Sequence, residues 1–161
     1  DRRPFVERPL DDWRATFDVN VDAAFRVFQA VAGHMIVRHG KGDPGGRLMA
    51  TSSIASLFGT ARNEAYGASK SALDGLVRAL AVELARYAIT VNAVLPGYVE
   101  TDMTGSLMAN SKFTDAVLPR LPLRRFGQPE DFGAIAVYLM GAGSSYHTGD
   151  RIVIDGGYSA C

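Results

Sequence analysis

Tyr66 and Lys70 are two side chains with complementary acid–base chemistry that stand four residues apart. They open a run of good helix formers from about residue 64 to residue 87, and this spacing places both on one helix face. A phenol is a weak acid at neutral pH, but an ammonium one turn away favours the phenolate when water is excluded. The pair therefore predicts a phenol that exchanges a proton with an alcohol or carbonyl oxygen. An exposed Tyr and Lys without any catalytic role could have the same spacing, so the interpretation depends on whether other residues complete a site.

Two more polar residues could complete such a site. Ser53 ends a predicted strand over residues 47–53, and open α/β sheets bind their ligands at the carboxyl ends of strands. Asn20 lies between Val19 and Val21 within a predicted helix. It is either an exposed or capping residue of a helix that bends, or a buried amide with hydrogen-bonding capacity to spare.

The elements that must position these residues alternate between helices and strands. Apolar residues at spacings of three and four predict a long helix that ends near Gly40. Further strands are predicted over residues 89–95 and 151–154, and another helix begins at Gln128 and carries the apolar residues up to Met140. Residues 101–123 predict either a pair of short helices over a site or an ordinary surface excursion. The alternation predicts a single α/β domain with a parallel sheet and helices on both faces.

A glycine-rich stretch over residues 40–45 fits the G-x-G-x-x-G dinucleotide pattern letter for letter. That pattern binds a pyrophosphate only after a strand and before a helix, so that the helix N-terminus faces the phosphates. Here a helix precedes the stretch and a strand follows it. The stretch therefore predicts a surface turn, not a cofactor site.

Composition and charge exclude several classes of function. The sequence has 161 residues, of which 47% are hydrophobic and 21% charged, as in an ordinary globular protein. Its 17 basic residues balance its 17 acidic ones, so nothing favours nucleic acid or an anionic membrane as partner. No apolar run approaches the roughly 20 residues that span a bilayer. One cysteine, Cys161, fits a reducing compartment, and a cytoplasmic location is the expectation.

Taken together, these motifs resemble the short-chain dehydrogenase/reductase family. The resemblance covers essentially the whole chain, and its landmarks stand in the family's order. They are Asn20 between two valines, Ser53 thirteen residues before Tyr66-x-x-x-Lys70, the run from Asn92 through Pro96-Gly97 to Thr101, the run from Arg125 to Asp131, and the run from Gly149 to Gly157. The resemblance implies a Rossmann-like, doubly wound parallel sheet.

The resemblance also implies a role for each matching residue. Tyr66 would be the acid/base, Lys70 would favour its phenolate and bind the nicotinamide ribose, and Ser53 would hold the substrate oxygen. Asn20 would hold a water in a proton relay to Lys70. The remaining cofactor contacts would come from Pro96, Gly97, Val99 and Thr101. The implied cofactor is NAD or NADP, the implied substrate is a small alcohol or ketone, and no metal is expected.

The chain departs from the family at its beginning. The strand, Gly-rich turn and helix that cradle the cofactor pyrophosphate in family members have no counterpart here, nor has the residue that chooses between NAD and NADP. The chain thus resembles only the C-terminal half of the family's domain. We expect either that the protein is longer than this sequence or that the chain is a fragment; the first expectation is favoured.

Several alternatives stay open from the sequence. The stretches at Asp1 to Phe5, at Asp12-Trp13 and at Pro96 to Val99 resemble gluconate 5-dehydrogenases and related sugar-acid dehydrogenases. The run from Val99 to Thr104 equally resembles 3-oxoacyl-acyl-carrier-protein reductases. A truncated, non-catalytic protein that only associates through its two long helices is the alternative of another class. In family members those helices pair across a twofold axis, so a homo-oligomer, either a dimer or a tetramer, is expected.

Overall fold

The computed structural model describes residues 3–160. Two observations made on the sequence lie outside the described residues. They are the part of the gluconate dehydrogenase resemblance that involves Asp1 and Arg2, and the inference drawn from Cys161.

A parallel sheet of three strands forms the centre of the described chain. The strands are β1 (Gly46–Thr51), β2 (Ile89–Pro96) and β3 (Arg151–Ile154), in the order β1-β2-β3. The register pairs Thr51 with Val94 and Pro96 with Ile154. All three strands therefore end at one edge of the sheet. The predicted α/β class with a parallel sheet is confirmed.

The helices connect these strands and cover the sheet. Their bounds are α1 (Leu10–Phe17), α2 (Ala23–Gly40), α3 (Glu64–Leu84), α4 (Gly105–Met108), α5 (Ser111–Val117) and α6 (Gly133–Met140). The sequence predicted one continuous helix where α1 and α2 lie. Its end at Gly40 is confirmed, but a π-helical segment, Asp18–Asp22, separates the two parts. The short helices predicted within residues 101–123 are present as α4 and α5.

The core lies where α3 packs against β2. Every residue from Ile89 to Leu95 is buried, as expected of a central parallel strand. The facing side of α3 contributes Leu73, Val77 and Ala81 to the same hydrophobic cluster. Burying a large aliphatic side chain contributes about 1.5–3 kcal/mol, so this face fixes where α3 lies on the sheet. Because a helix that connects parallel strands runs back across the sheet, the first turns of α3 lie at the carboxyl edge.

Asn92 is a polar residue in the otherwise apolar centre of β2. Its amide nitrogen donates to the carbonyl oxygen of His147 at 2.7 Å, and its side-chain oxygen accepts from the amide of Asp150 at 3.1 Å. A buried amide must find such partners to avoid a desolvation cost. Asn92 thereby fixes the turn that leads the chain into β3. Within residues 3–160, no helix has the length and apolar character that crossing a membrane requires.

Gly97, directly after β2, lies against the backbone of Asp155 beyond β3. A Cβ at Gly97 would stand 2.6 Å from the Cβ and 2.7 Å from the Cα of Asp155, which is shorter than real contacts allow. The absence of a side chain thus lets the ends of β2 and β3 approach each other.

We predict that Gly97→Ala lowers the free energy of unfolding by about 1–3 kcal/mol, the usual cost of overpacking. Gly33→Ala is the matched control, because nothing lies within 4 Å of a Cβ at that position of α2. The control should gain about 1 kcal/mol from its higher helix propensity. Urea unfolding measures both, and equal effects of the two substitutions would contradict the proposed contact.

Candidate active site

A cavity of about 490 Å³ opens at the carboxyl edge of the sheet. All eight residues that the sequence singled out contribute to its lining. They are Asn20, Ser53, Tyr66, Lys70, Pro96, Gly97, Val99 and Thr101. The parallel strands bring Ser53 and Pro96 to this edge, and the first two turns of α3 bring Tyr66 and Lys70.

Tyr66 and Lys70 lie together on the face of α3 that borders the cavity. The Lys70 ammonium is 5.6 Å from the centre of the Tyr66 ring, and it donates a hydrogen bond of 2.9 Å to the carbonyl oxygen of Thr51. Burial lowers the pKa of Lys70, and the negative charge of Asp74 opposes this by raising it. An ammonium has three donors, so two remain for other groups in the cavity.

Ser53 stands two residues beyond the end of β1. Its backbone is extended, and it caps a short 3₁₀ turn, Ile54–Ser56, in which its side-chain oxygen accepts a hydrogen bond of 3.1 Å from the amide of Ala55. Because the hydroxyl is used there as an acceptor, its proton can still be donated towards the cavity. The 3₁₀ turn therefore holds this side chain in place without consuming its donor.

Asn20 lies in the π-helical segment between α1 and α2. Its amide nitrogen donates to the Ser69 hydroxyl at 2.9 Å, and Ser69 in turn donates to the carbonyl oxygen of Tyr66 at 2.8 Å. Ser69 is fully buried. A π turn often marks a functional position, because the wider turn redirects the side chains that follow it. Here it connects the first helix to the first turn of α3.

The chain after β2 borders the other side of the cavity. The hydroxyl of Thr104 donates to the carbonyl oxygen of Val99 at 2.6 Å and accepts from the amide of Thr101 at 2.9 Å. Thr104 also lines the cavity but was not among the site residues predicted from the sequence. The spacing of Thr101 and Thr104 is typical of a hydroxyl-capped turn, and this signal could have identified it.

A second loop supports this segment from outside. The backbone pairs Val99 with Gly127, and Arg125 holds the same loop by binding both oxygens of Asp131 at 2.7 and 2.8 Å. The Asp131 oxygen also accepts from the amide of Gln128 at 2.7 Å. The hydrogen bond from Arg125, followed by that from Gln128, lowers the pKa of Asp131 to about 2.

A second hollow, of about 520 Å³, lies beside this cavity, and Leu57, Phe58 and Asn63 contribute to its lining. Met103 lines the cavity itself. The part of the chain that the structure describes shows no group of acidic, His or Cys side chains that could hold a metal ion.

Comparison with known proteins agrees with the resemblance seen in the motifs. A family model described as enoyl-(acyl carrier protein) reductase matches residues 1–159. The chain belongs to the short-chain dehydrogenase/reductase family.

Individual relatives include two kinds of enzyme. The chain is 37% identical over 156 residues to the 5-keto-D-gluconate 5-reductase of Escherichia coli, covering 97% of this chain and 59% of the relative. It is 39% identical over 152 residues to the 3-oxoacyl-[acyl-carrier-protein] reductase of Thermotoga maritima, covering 94% of this chain and 59% of the relative.

A solved structure is also similar to this chain. A crystal structure of a gluconate 5-dehydrogenase from Burkholderia cenocepacia in complex with NADP and tartrate superposes with a TM-score of 0.94 at 33% identity. That match covers 100% of this chain and 61% of the other. The chain thus spans about 60% of the length of the relatives that it matches.

The ion pair at Asp131 predicts a pH dependence of stability. Because the pKa of Asp131 falls from 3.8 to about 2 in the fold, its contribution is present above 3.8 and is lost as the pH drops towards 2. We predict that Arg125→Met lowers stability at neutral pH and that its difference from the parent shrinks across this window. Arg124→Met is the control: within residues 3–160 the Arg124 side chain bonds to the Pro119 carbonyl oxygen and to no carboxylate, so its effect should not vary with pH. Urea unfolding at a series of pH values tests both, and a constant difference for Arg125→Met would contradict the assignment.

Proposed function

We propose that the protein is an NAD- or NADP-dependent oxidoreductase that transfers a hydride between the nicotinamide and the carbon of an alcohol or ketone. The observation that carries the proposal is the shared cavity. A phenol, an ammonium with two free donors and a serine hydroxyl with a free proton all border it. These are the groups that the chemistry at a carbonyl oxygen requires.

The residues present fit a nicotinamide ribose and its carboxamide. The two remaining donors of Lys70 suit the ribose hydroxyls. The amide nitrogen of Val99 donates to no group among residues 3–160, so it is available to a carboxamide oxygen. Pro96, Gly97 and Thr101 line the same cavity as Val99.

In the proposed reaction, the cofactor supplies or accepts the hydride. Ser53 donates a hydrogen bond to the substrate oxygen and orients it towards Tyr66. The Tyr66 hydroxyl gives its proton to that oxygen during reduction and takes it back during oxidation. Lys70 stabilises the phenolate left behind, because its ammonium lies beside the ring.

Asn20 has a supporting role in this proposal. Its amide nitrogen is already engaged with Ser69, which leaves the side-chain oxygen free to accept from a water. Such a water would connect Lys70 to the solvent and resupply the proton. Asn20 lies in the π segment and lines the cavity.

Sugar acids are the proposed substrates. Support comes from the relatives named for 5-ketogluconate reduction and gluconate oxidation. The second candidate is a 3-oxoacyl thioester, which is favoured by the apolar lining residues Val99, Met103 and Phe132 and by the reductase of Thermotoga maritima. Comparing kcat/KM for 5-ketogluconate and for a 3-oxoacyl thioester separates the two, because the preferred substrate is the one with the higher kcat/KM.

A role of another class is self-association without catalysis. It is favoured by apolar side chains that α2 and α3 leave exposed, among them Phe25 and Val82, at 48% and 83%. A protein that sediments as a dimer and gives no nicotinamide absorbance change with any carbonyl would support this role and exclude the enzyme. A homo-oligomer is compatible with either role.

We predict that Tyr66→Phe lowers kcat by a factor of about 10²–10⁴, the usual contribution of a positioned acid/base. Cofactor affinity, measured by fluorescence titration, should be unchanged, because the substitution removes only the hydroxyl. Tyr146→Phe is the matched control, since Tyr146 is fully exposed and outside the cavity. Unchanged turnover in Tyr66→Phe would refute the role given to Tyr66.

A further inference from the structure

Asp74 is a buried carboxylate that no step above uses. It lies on α3 four residues after Lys70, on the side of the helix that faces the sheet. Only 1% of its surface is exposed, and neither carboxylate oxygen accepts a hydrogen bond from the described residues. Among residues 3–160, its one charged partner within 4 Å is Arg151, whose guanidinium nitrogen is 3.5 Å away at the start of β3.

A carboxylate at this position is costly for stability. Its neighbours on the same face, Leu73 and Val77, belong to the hydrophobic core. Replacing a buried ion pair by apolar side chains is often neutral or stabilising, and a buried charge without hydrogen bonds carries a full desolvation cost. Packing therefore does not explain an aspartate at this position. Its negative charge is the property that could have a function.

We propose that Asp74 is a positioning residue that keeps Lys70 in its ammonium form inside the cavity. The spacing of four places the carboxylate one helical turn deeper than Lys70 on the same side of α3. From there its field reaches the ammonium through the low-dielectric core, and no direct contact is needed. The missing hydrogen bonds leave its negative charge largely uncompensated, apart from Arg151.

Burial disfavours the ammonium form of Lys70, so a negative charge nearby acts in its favour. Burial lowers the pKa of Lys70, and the negative charge of Asp74 raises it. A neutral lysine would neither stabilise a phenolate nor keep all its donors. The requirement for a charged Lys70 rests on the proposed function. The effect of Asp74 on the charge of Lys70 does not depend on that function.

The other charges around α3 leave this relation intact. Strand β2 carries no charged side chain, and on β1 the only one, Arg47, bonds to the carbonyl oxygens of Gly46 and Gly141. Among the charged groups of residues 3–160, Asp74 is the one that shifts the pKa of Lys70. The remaining titratable groups on the elements packed against α3 are Asp11, Asp12, Arg14, Asp18, Asp22, Arg26, His34, Arg38, His39, Arg86 and Tyr87, and those on α3 itself are Glu64, Tyr66, Arg78 and Glu83.

The test is a direct titration of Lys70 in the protein labelled with ¹³C at the lysine Cε. The Lys70 signal is identified by its loss in Lys70→Arg, and Lys41 and Lys112 serve as exposed internal references. We expect the midpoint of Lys70 in the parent to lie below those of the two references. In Asp74→Asn it should move to still lower pH, because the favourable charge is gone, while both references stay in place. A Lys70 midpoint that does not change in Asp74→Asn would overturn the proposal.

Two further variants separate charge from structure. Asp74→Glu keeps the charge and should titrate near the parent. Arg151→Gln removes the ion-pair partner but leaves the carboxylate, so the midpoint of Lys70 should not fall. A fall in Arg151→Gln equal to that in Asp74→Asn would show that loosening of α3 is the cause, and it would also overturn the proposal. If Asp74→Asn does not fold by circular dichroism, Asp74→Leu takes its place, because it removes the charge together with its desolvation cost, and it should lower the Lys70 midpoint in the same way.

The titration is read without substrate, so it remains informative if the protein proves to have no dehydrogenase activity. If turnover is found, Asp74→Asn should also shift the pH profile of kcat/KM, whereas a purely structural loss would scale the profile without moving it. A profile that scales without moving, together with a Lys70 midpoint that does move, would refute the need for a charged Lys70.

Discussion

The parallel pairing of β1 with β2 is the constraint on which the candidate site depends. It sets Thr51 beside Val94, so both strands end at the same edge of the sheet. The chain can then place Ser53 just beyond one strand and Pro96 at the end of the other. Since α3 must run back across β2, its first turns lie at that edge as well. The position of Tyr66 and Lys70 follows from strand direction together with the burial of one face of α3.

The site also shows how polar groups are supported by a mainly apolar scaffold. Three of its polar side chains have a partner that fixes them and still leaves a donor or acceptor for the cavity. Ser53 accepts from the amide of Ala55, and Asn20 donates to Ser69. The ammonium of Lys70 donates to the backbone carbonyl oxygen of Thr51 at the end of β1. Asp74 differs, because its influence is through charge rather than hydrogen bonding. Burial makes that charge effective and also makes it costly.

Much of the fold could be predicted from local patterns. Strand β3 has the bounds expected of it, and β2 differs from its expected range only by including Pro96, because β-branched and apolar runs between turn residues are strong signals. The π-helical segment around Asn20 could not be predicted, since the apolar spacing of a helix continues through it unchanged. The break is set by packing of α1 and the π segment against α3, and that packing is not local in sequence.

The sequence by itself identified eight residues that border the candidate site, and it determined that Tyr66 and Lys70 share a helix face, because a spacing of four residues has one geometric meaning in a helix. It also determined the family, through motifs such as Tyr66-x-x-x-Lys70. Only the tertiary structure decided what surrounds them. Thr104 reaches the carbonyl of Val99 because the chain turns there, and Asp74 faces Arg151 because β3 lies beside β2. Burial and charge act through space, so the electrostatic environment of Lys70 depends on residues that only the folded chain brings near it.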